Sequence, residues 1–329
     1  MKQKPGTLLE AIKQYADADT SLAEVVDSRW KENVVCPHCQ ADKPMFLKTR
    51  KIWKCSACRK QFSIKAGTVF EDSPITLDKW LPAVWLIANN RNGISSWELA
   101  RALGVTQKTA WFMLHRVRLA MQDDLSGGML GGEVEVDETF IGGKARNMHK
   151  ARKVEVQKKG RNDGGKTIVL GLLERASANK PKRVRTSIIS DRKRSSIAPE
   201  VAAHVAPGSE INSDEGGKGW QMEDRYQHKM VDHLSTYVDG TVHTNGIENF
   251  WSLLKRGVNG TYVSVEPFHL FRYVDEQAFR FNTRKDAIGD VISDYDRFKL
   301  ALSQIVGKRL TYKALTGKEA ETASAEVPF

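Results

Sequence analysis

The sequence predicts a multidomain protein in which two small N-terminal domains are followed by a larger α/β domain. Three observations support this. Four cysteines form two C-x-x-C pairs, two amphipathic helical patterns follow on either side of a glycine, and strand-like segments then lead to acidic residues. The domains are expected at residues 30–70, 74–125 and 131–284, and residues 285–329 are expected to form a C-terminal helix and a disordered tail.

The cysteines lie in Cys36-Pro-His-Cys39 and Cys55-Ser-Ala-Cys58, with fifteen residues between the two pairs. Each pair can direct two thiolates at one ion, and four thiolates complete a tetrahedral site. Short strands are expected within 45–54 and at 61–64. This pattern predicts a zinc ribbon whose Zn²⁺ is structural, because no ligand position is left open to water. Four unrelated cysteines or a redox pair are the alternatives.

The segment after the cysteines has the pattern of an α domain. A helix is expected from Thr76, and Ser95-Ser-Trp-Glu98 has the sequence of a capping box. Thr106 is placed to cap a further helix over 107–122. A short helix, a tight turn at Gly104 and a longer helix are typical of the helix-turn-helix, although any three-helix bundle has similar periodicity. Three residues at the start of the last helix are candidates for DNA contacts: Gln107, Lys108 and Thr109.

The next part of the chain contains strands and helices in a defined order. Residues 133–140 alternate with period two, and apolar strands are expected at 166–173 and 184–189. A helix over 195–205 and a fourth strand over 209–213 follow, and then an acid-bearing helix. This order predicts an RNase H-like α/β catalytic domain of the retroviral integrase type.

Three carboxylates lie on or directly after elements of this predicted domain. Asp137 lies on the first strand, Asp214 follows the fourth, and Glu248 lies on the next helix, 34 residues after Asp214. Carboxylate oxygens are the ligands that Mg²⁺ prefers, and three such groups can hold two ions for phosphodiester chemistry. The sequence therefore predicts a Mg²⁺ or Mn²⁺ site. The alternatives are a surface carboxylate for Asp137 and a helix-capping acid for Glu248.

The helix that carries Glu248 is amphipathic. Lys255 lies two turns after Glu248, so both side chains leave the same face. Phe250 and Trp251 are expected to pack in the core.

The net charge of +11 and the pI near 9.4 indicate a polyanionic partner. The positive charge is concentrated in two clusters, within 144–166 and within 180–194. A single basic run can equally be a solvated loop. Two clusters on either side of the predicted carboxylate site favour a nucleic-acid groove.

Several motifs resemble the DDE transposases of the ISXO2-like (IS1595) insertion-sequence family. They are Val136-Asp-Glu-Thr139, Ser213-Asp214, His243-Thr-Asn-Gly-Ile-Glu-Asn-Phe-Trp-Ser-Leu-Leu-Lys-Arg256, Gly260-Thr-Tyr262 and the helix-like run over 271–284. The zinc ribbon before the catalytic domain fits the same family. The resemblance covers about residues 35–284, and the stretch around Glu248 is its most specific part.

The resemblance implies a DNA transposase that binds the terminal inverted repeats of its element and cleaves and joins DNA strands. Asp137 would bridge two ions, Asp214 would bind one and Glu248 the other, while Lys255 and Arg256 would contact the DNA backbone. Synapsis of two element ends implies at least a homodimer. An RNase H-like nuclease or resolvase without strand transfer and a non-catalytic DNA-binding regulator are the rival functions.

The location of the protein is expected to be the prokaryotic cytoplasm, with nucleoid association when it is bound to DNA. No apolar run reaches membrane-spanning length, and the N-terminus lacks the apolar segment of a signal peptide. No membrane partner is expected.

Overall fold

The computed structural model of the protein describes residues 4–30, 32–122, 127–143, 154, 165–177, 180–214, 220, 222, 224–231 and 243–317. The chain forms two compact units, Met1–Met121 with Ser293–Phe329, and Gln122–Ile292. Most of the first basic cluster and the predicted disordered tail from residue 318 onward lie outside the described residues.

The first unit begins with two helices that the pattern analysis did not anticipate, α1 (Leu8–Tyr15) and α2 (Ala18–Arg29). Each has a local start signal, because the side chains of Thr7 and Asp17 accept hydrogen bonds from backbone N–H groups in the first turn. A three-stranded antiparallel sheet follows, formed by β1 (Met45–Leu47), β2 (Ile52–Lys54) and β3 (Gln61–Phe62). These are the strands expected around the cysteine pairs.

Three helices come next, α3 (Leu77–Asn89), α4 (Ser96–Leu103) and α5 (Gln107–Met121). The predicted capping box is present, with Ser95 and Glu98 each accepting from the other's backbone N–H. Gly104 ends α4 in the left-handed conformation at φ 61°, which a residue with a side chain adopts at a cost. Helices α4 and α5 pack against each other.

The second unit contains a five-stranded mixed sheet in the order β6-β5-β4-β7-β8. Strand β4 pairs antiparallel with β5, and β5 with β6, whereas β4, β7 and β8 run parallel. The four strands expected from the sequence are present, and the fifth, β8, was not predicted. The strands are β4 (Glu133–Ile141), β5 (Thr167–Glu174), β6 (Arg183–Ile189), β7 (Glu210–Asp214) and β8 (Gln227–Val231).

Three helices flank this sheet, α6 (Arg194–His204), α7 (Asn245–Arg256) and α8 (Leu270–Asn282). Because strand side chains alternate between faces, Val134 and Val136 join the core that includes α6. The opposite face packs against the apolar side of α7 and α8. Glu135 and Asp137 therefore point toward α7, and this acidic side of β4 is covered by a helix.

The chain then returns to the first unit through α9 (Asp294–Ser303) and the short α10 (Tyr312–Leu315). Helix α9 packs against α3, and Phe298 of α9 is fully buried beside Tyr15 and Trp85. The C-terminal helix predicted within 285–329 is thus present over Asp294–Ser303. It completes the core of the first unit.

Candidate active site and metal centre

Asp137 lies in the middle of β4 and is mostly buried. Its two carboxylate oxygens have separate hydrogen-bond donors. The indole Nε1–H of Trp251 donates to Oδ2 at 2.9 Å, and the backbone N–H of Glu138 donates to Oδ1 at 2.8 Å. Trp251 was predicted only as a core residue. It is buried, as expected, and in addition contacts the first of the three predicted acids.

Asp214 is brought beside Asp137 by strand pairing. It ends β7, which runs parallel to β4 with Ser213 opposite Val136, so the next residues of the two strands are neighbours. Burial, together with the nearby charges of Glu138 and Asp214, raises the pKa of Asp137 to about 7. Asp214 is thus close enough to Asp137 for its charge to disfavour ionisation of Asp137.

Glu248 lies in the first turn of α7 and is exposed, and the Thr244 hydroxyl donates to its Oε1 at 2.9 Å. Glu248 precedes Trp251 by three residues, and Lys255 follows it by four. The exposed side chains of Glu248 and Lys255 therefore flank the Trp251 indole along one side of the helix. Among the described residues, only the four cysteines place three or more metal-ligand atoms within 4.8 Å of one another. Asp137, Asp214 and Glu248 are therefore not gathered that tightly.

The other acids of β4 are paired with arginines. Arg175, which the pattern analysis did not single out, contacts Glu133 Oε2 at 2.6 Å and Glu135 Oε1 at 2.8 Å. The buried Glu135 also accepts from the backbone N–H of Ile247 at 2.8 Å. Arg192 contacts Glu138 Oε1 at 2.5 Å. Glu135 therefore fixes the start of α7 on the sheet.

Removing the cation beside Glu135 should destabilise the second unit. We expect Arg175→Met to lower the free energy of unfolding by about 3–5 kcal/mol, because it leaves a buried carboxylate without its charge partner. Lys180→Met is the control, since the Lys180 side chain is 62% exposed and its ion pair with Glu174 should contribute about 1 kcal/mol or less. Urea unfolding followed by circular dichroism measures both, and equal small losses would contradict the structural role of Arg175.

The predicted DNA contacts on α5 have local partners. Gln107 Nε2 donates to Ser96 Oγ at 2.8 Å and so joins α5 to α4, and Thr109 is bonded to Thr106. Lys108 is exposed, with its Nζ 4.7 Å from the centre of the Tyr312 ring. In the second basic cluster, Arg185 is buried, whereas Lys182 is exposed.

The four cysteines form a compact donor set. The Sγ atoms of Cys36 and Cys58 are 3.7 Å apart, and those of Cys39 and Cys55 are 3.6 Å apart. The backbone N–H of Cys58 lowers the pKa of Cys55 to about 7, which favours a thiolate at neutral pH. Four sulfur ligands, which no further ligand atom joins among the residues that the structure describes, fit a structural Zn²⁺.

Two parts of the chain match models of known families. A model of the transposase zinc-ribbon domain matches residues 18–61, and a model of the ISXO2-like transposase domain matches residues 129–282. Together the matches span more than half of the chain. The chain belongs to the ISXO2-like (IS1595) transposase family. The resemblance noted from the motifs is therefore confirmed, and the two matches contain the four cysteines and the three predicted acids of this transposase.

A similar protein is also described as belonging to a transposable element. This ISXO2-like transposase is 26% identical over 262 residues to a Halobacterium salinarum protein described as an uncharacterized protein in transposable element ISH50. The alignment covers 74% of this chain and 84% of that protein. In the described part of the transposase, no helix combines the length and apolar character needed to cross a bilayer.

Proposed function

We propose that the protein is a DNA transposase that binds the terminal inverted repeats of its insertion sequence and catalyses metal-dependent strand cleavage and strand transfer. The observation that carries the proposal is the pairing of Asp137 and Asp214 on neighbouring parallel strands, beside the helix that bears Glu248 and Lys255. The order of elements also supports an RNase H-like catalytic domain, with the first acid on its first strand, the second at the end of its fourth, and the third on a following helix.

The donor set at this site suits Mg²⁺ or Mn²⁺. The described hydrogen bonds of Asp137 come from neutral N–H groups, so both oxygens keep lone pairs that are available to a cation. Mg²⁺ is commonly held by one or two carboxylates together with substrate phosphate and water. Asp137 and Asp214 would hold it, and Glu248 would complete a second position. When bound, such ions stabilise the charge that develops on the attacking and leaving oxygens.

Cleavage and strand transfer are successive displacements at phosphorus. A water oxygen attacks the phosphorus at the element end, the bond to the 3′ oxygen breaks, and that oxygen leaves as a free 3′-hydroxyl. In strand transfer this hydroxyl attacks a target phosphorus in the same way, so no covalent enzyme intermediate is needed. Lys255 and Arg256, both exposed in the last turn of α7, would contact the DNA backbone beside the scissile phosphate.

Strand transfer separates this function from its rivals. Purified protein, Mg²⁺, labelled element ends already cut at the 3′ side and a target plasmid should give joined product. A nuclease or resolvase would give hydrolysed ends without joining, and a non-catalytic regulator would give neither product while still retarding the ends in a gel. Absence of joined product with wild-type protein that binds the ends would contradict the proposal.

The first unit would read the element ends through α4 and α5, arranged as a helix-turn-helix-like reader with Gln107, Lys108 and Thr109 at the start of α5. We expect Lys108→Ala to weaken binding at every sequence tested and to reduce the salt slope of log K by about 1, because one phosphate contact is lost. Lys13→Ala, at an exposed lysine of α1, is the matched control. Fluorescence anisotropy across a salt series measures both. An unchanged slope for Lys108→Ala would remove this residue from the interface.

Two element ends must be held together for coordinated cutting, so we propose at least a homodimer in the DNA complex. Multi-angle light scattering of the protein bound to paired ends should give two or more chains per complex. A complex with one chain on each isolated end, active in strand transfer, would contradict this.

A further inference from the structure

The Trp251 side chain donates a hydrogen bond to Asp137, and the proposed reaction gives this bond no role. The bond joins residues 114 positions apart, with an Nε1 to Oδ2 distance of 2.9 Å. The indole is 4% exposed and packs among the apolar side chains of α7 and α8. The indole end of the bond is therefore shielded from water, and its position is set by packing.

The neighbouring strand leaves space for this indole. Gly171 of β5 lies directly opposite Asp137 in the strand register. A Cβ at this position would be 2.6 Å from Trp251 Cζ2 and 2.7 Å from Ile247 Cδ1, closer than such atoms approach. A glycine inside a strand weakens it and often marks the close approach of another group. Here the missing side chain opens the slot in which Trp251 lies on the sheet and reaches Asp137.

The chemical type of the donor also matters. Glu135 and Glu138 on the same strand are contacted by Arg175 and Arg192, which neutralise their charge. An indole N–H is neutral and can only donate. It can therefore fix the rotation of the Asp137 carboxylate and occupy one lone pair of Oδ2 without neutralising the charge of the carboxylate.

We propose that Trp251 is a positioning residue that orients the Asp137 carboxylate for the metal ions, and that Gly171 is the strand position that admits it. This inference rests on the proposed function, in which Asp137 is a metal ligand. It assigns to Trp251 a role separate from core packing, since Phe would fill the same apolar space without the N–H group.

The test compares Trp251→Phe with Trp80→Phe. Trp80 is the matched control because it is also buried and its Nε1 donates to a side-chain oxygen, Ser73 Oγ at 3.3 Å, in the other unit. Mn²⁺ binding to the zinc-loaded protein is measured from the loss of the free-ion electron paramagnetic resonance signal. Loss of a group that orients a metal ligand should raise the dissociation constant by about 10- to 100-fold in Trp251→Phe and leave it unchanged in Trp80→Phe.

Gly171→Ala is the second variant, because it keeps the indole but displaces it. It should weaken Mn²⁺ binding in the same way. A wild-type Mn²⁺ affinity in either variant, at an unchanged melting temperature, would overturn the proposal. A separate measurement needs no substitution of Trp251. Of the eight tryptophans, one indole N–H cross-peak in the ¹⁵N-labelled wild-type protein should move on addition of Mg²⁺, and that movement should be absent in Asp137→Asn.

Failure of the proposed metal-ligand role of Asp137 and failure of the positioning role of Trp251 give different results. If Asp137→Asn binds Mn²⁺ as tightly as the wild type, Asp137 is not a ligand and the proposed function is wrong at this residue. If Asp137→Asn loses the ion but Trp251→Phe and Gly171→Ala keep it, the metal site stands and only the positioning role is overturned.

Discussion

Replacing Asp137 by Asn should abolish both cleavage of element ends and strand transfer, with a fall in rate of about 10³-fold or more. The substitution keeps the shape of the side chain and an oxygen that can accept from Trp251, but removes the charge that would hold the metal ions. Metal ions contribute several kcal/mol of transition-state stabilisation, and each 1.36 kcal/mol corresponds to a factor of ten. Single-turnover cleavage of labelled ends in Mg²⁺ measures the effect.

Asp224→Asn is the matched control, because Asp224 is an exposed aspartate of the same unit. It should retain the wild-type rate. Asp137→Asn should also retain the binding of element ends, since the proposed reader lies in the first unit. Cleavage at the wild-type rate by Asp137→Asn would show that this carboxylate has no part in the reaction.

The same substitution should stabilise the protein in the absence of Mg²⁺ and Mn²⁺. The pKa of Asp137 is raised from 3.8 to about 7 in the folded protein, so folding favours its protonated form. The stability that protonated Asp137 contributes is fully present below pH 3.8 and is lost as the pH rises to about 7. The total loss in the free energy of unfolding is at most about 4 kcal/mol. Without these ions, the wild type should therefore lose more stability than Asp137→Asn between pH 4 and 7. Thermal melting of the zinc-loaded protein in buffer free of Mg²⁺ and Mn²⁺ across this window tests it.

Loss of one zinc ligand should unfold the ribbon. We expect Cys36→Ser to remove the Zn²⁺ and to abolish specific binding of the element ends, because the three strands are only two or three residues long and depend on the cysteine cluster at their ends. Structural zinc sites contribute about 10–16 kcal/mol of apparent binding free energy in small peptides. Native mass spectrometry of zinc content and hydrogen exchange across residues 32–64 measure the change.

Ser56→Ala is the matched control, since Ser56 is an exposed residue of the same knuckle that offers no thiolate. It should keep one Zn²⁺ per chain and wild-type DNA binding. The second unit should keep its melting transition in both variants because it has its own core. A folded, DNA-binding protein that contains no zinc would refute the ribbon assignment.

The features that could be predicted from the sequence depend on short spacings. The C-x-x-C pairs, the capping box at Ser95 and Glu98, and the alternation along β4 all involve residues within a few positions of one another. Their geometry follows from the backbone conformation of one turn, helix or strand. For this reason the ribbon strands, the start of α4 and the strand that carries Asp137 agree with the sequence analysis to within one or two residues.

Other features were missed because their signals are weak. Strand β8, Gln-His-Lys-Met-Val, has little apolar alternation and lies at the edge of the sheet, where one side needs no partner strand. Helices α1 and α2 have N-cap residues, Thr7 and Asp17, whose residue types are typical of a helix start. These two caps are the local signals in the sequence that could have predicted both helices.

The contacts around Asp137 are of a different kind. Sequence alone identified the family and the cysteine cluster and predicted the three acids, because residue type and local order are sufficient for those predictions. It could not predict the hydrogen bond between Trp251 and Asp137, the position of Gly171 opposite Asp137, or the ion pair between Arg175 and Glu135. Those contacts join residues 34 to 114 positions apart. They depend on the register of β4 with β5 and on where α7 crosses the sheet, which only the packing of the folded chain decides.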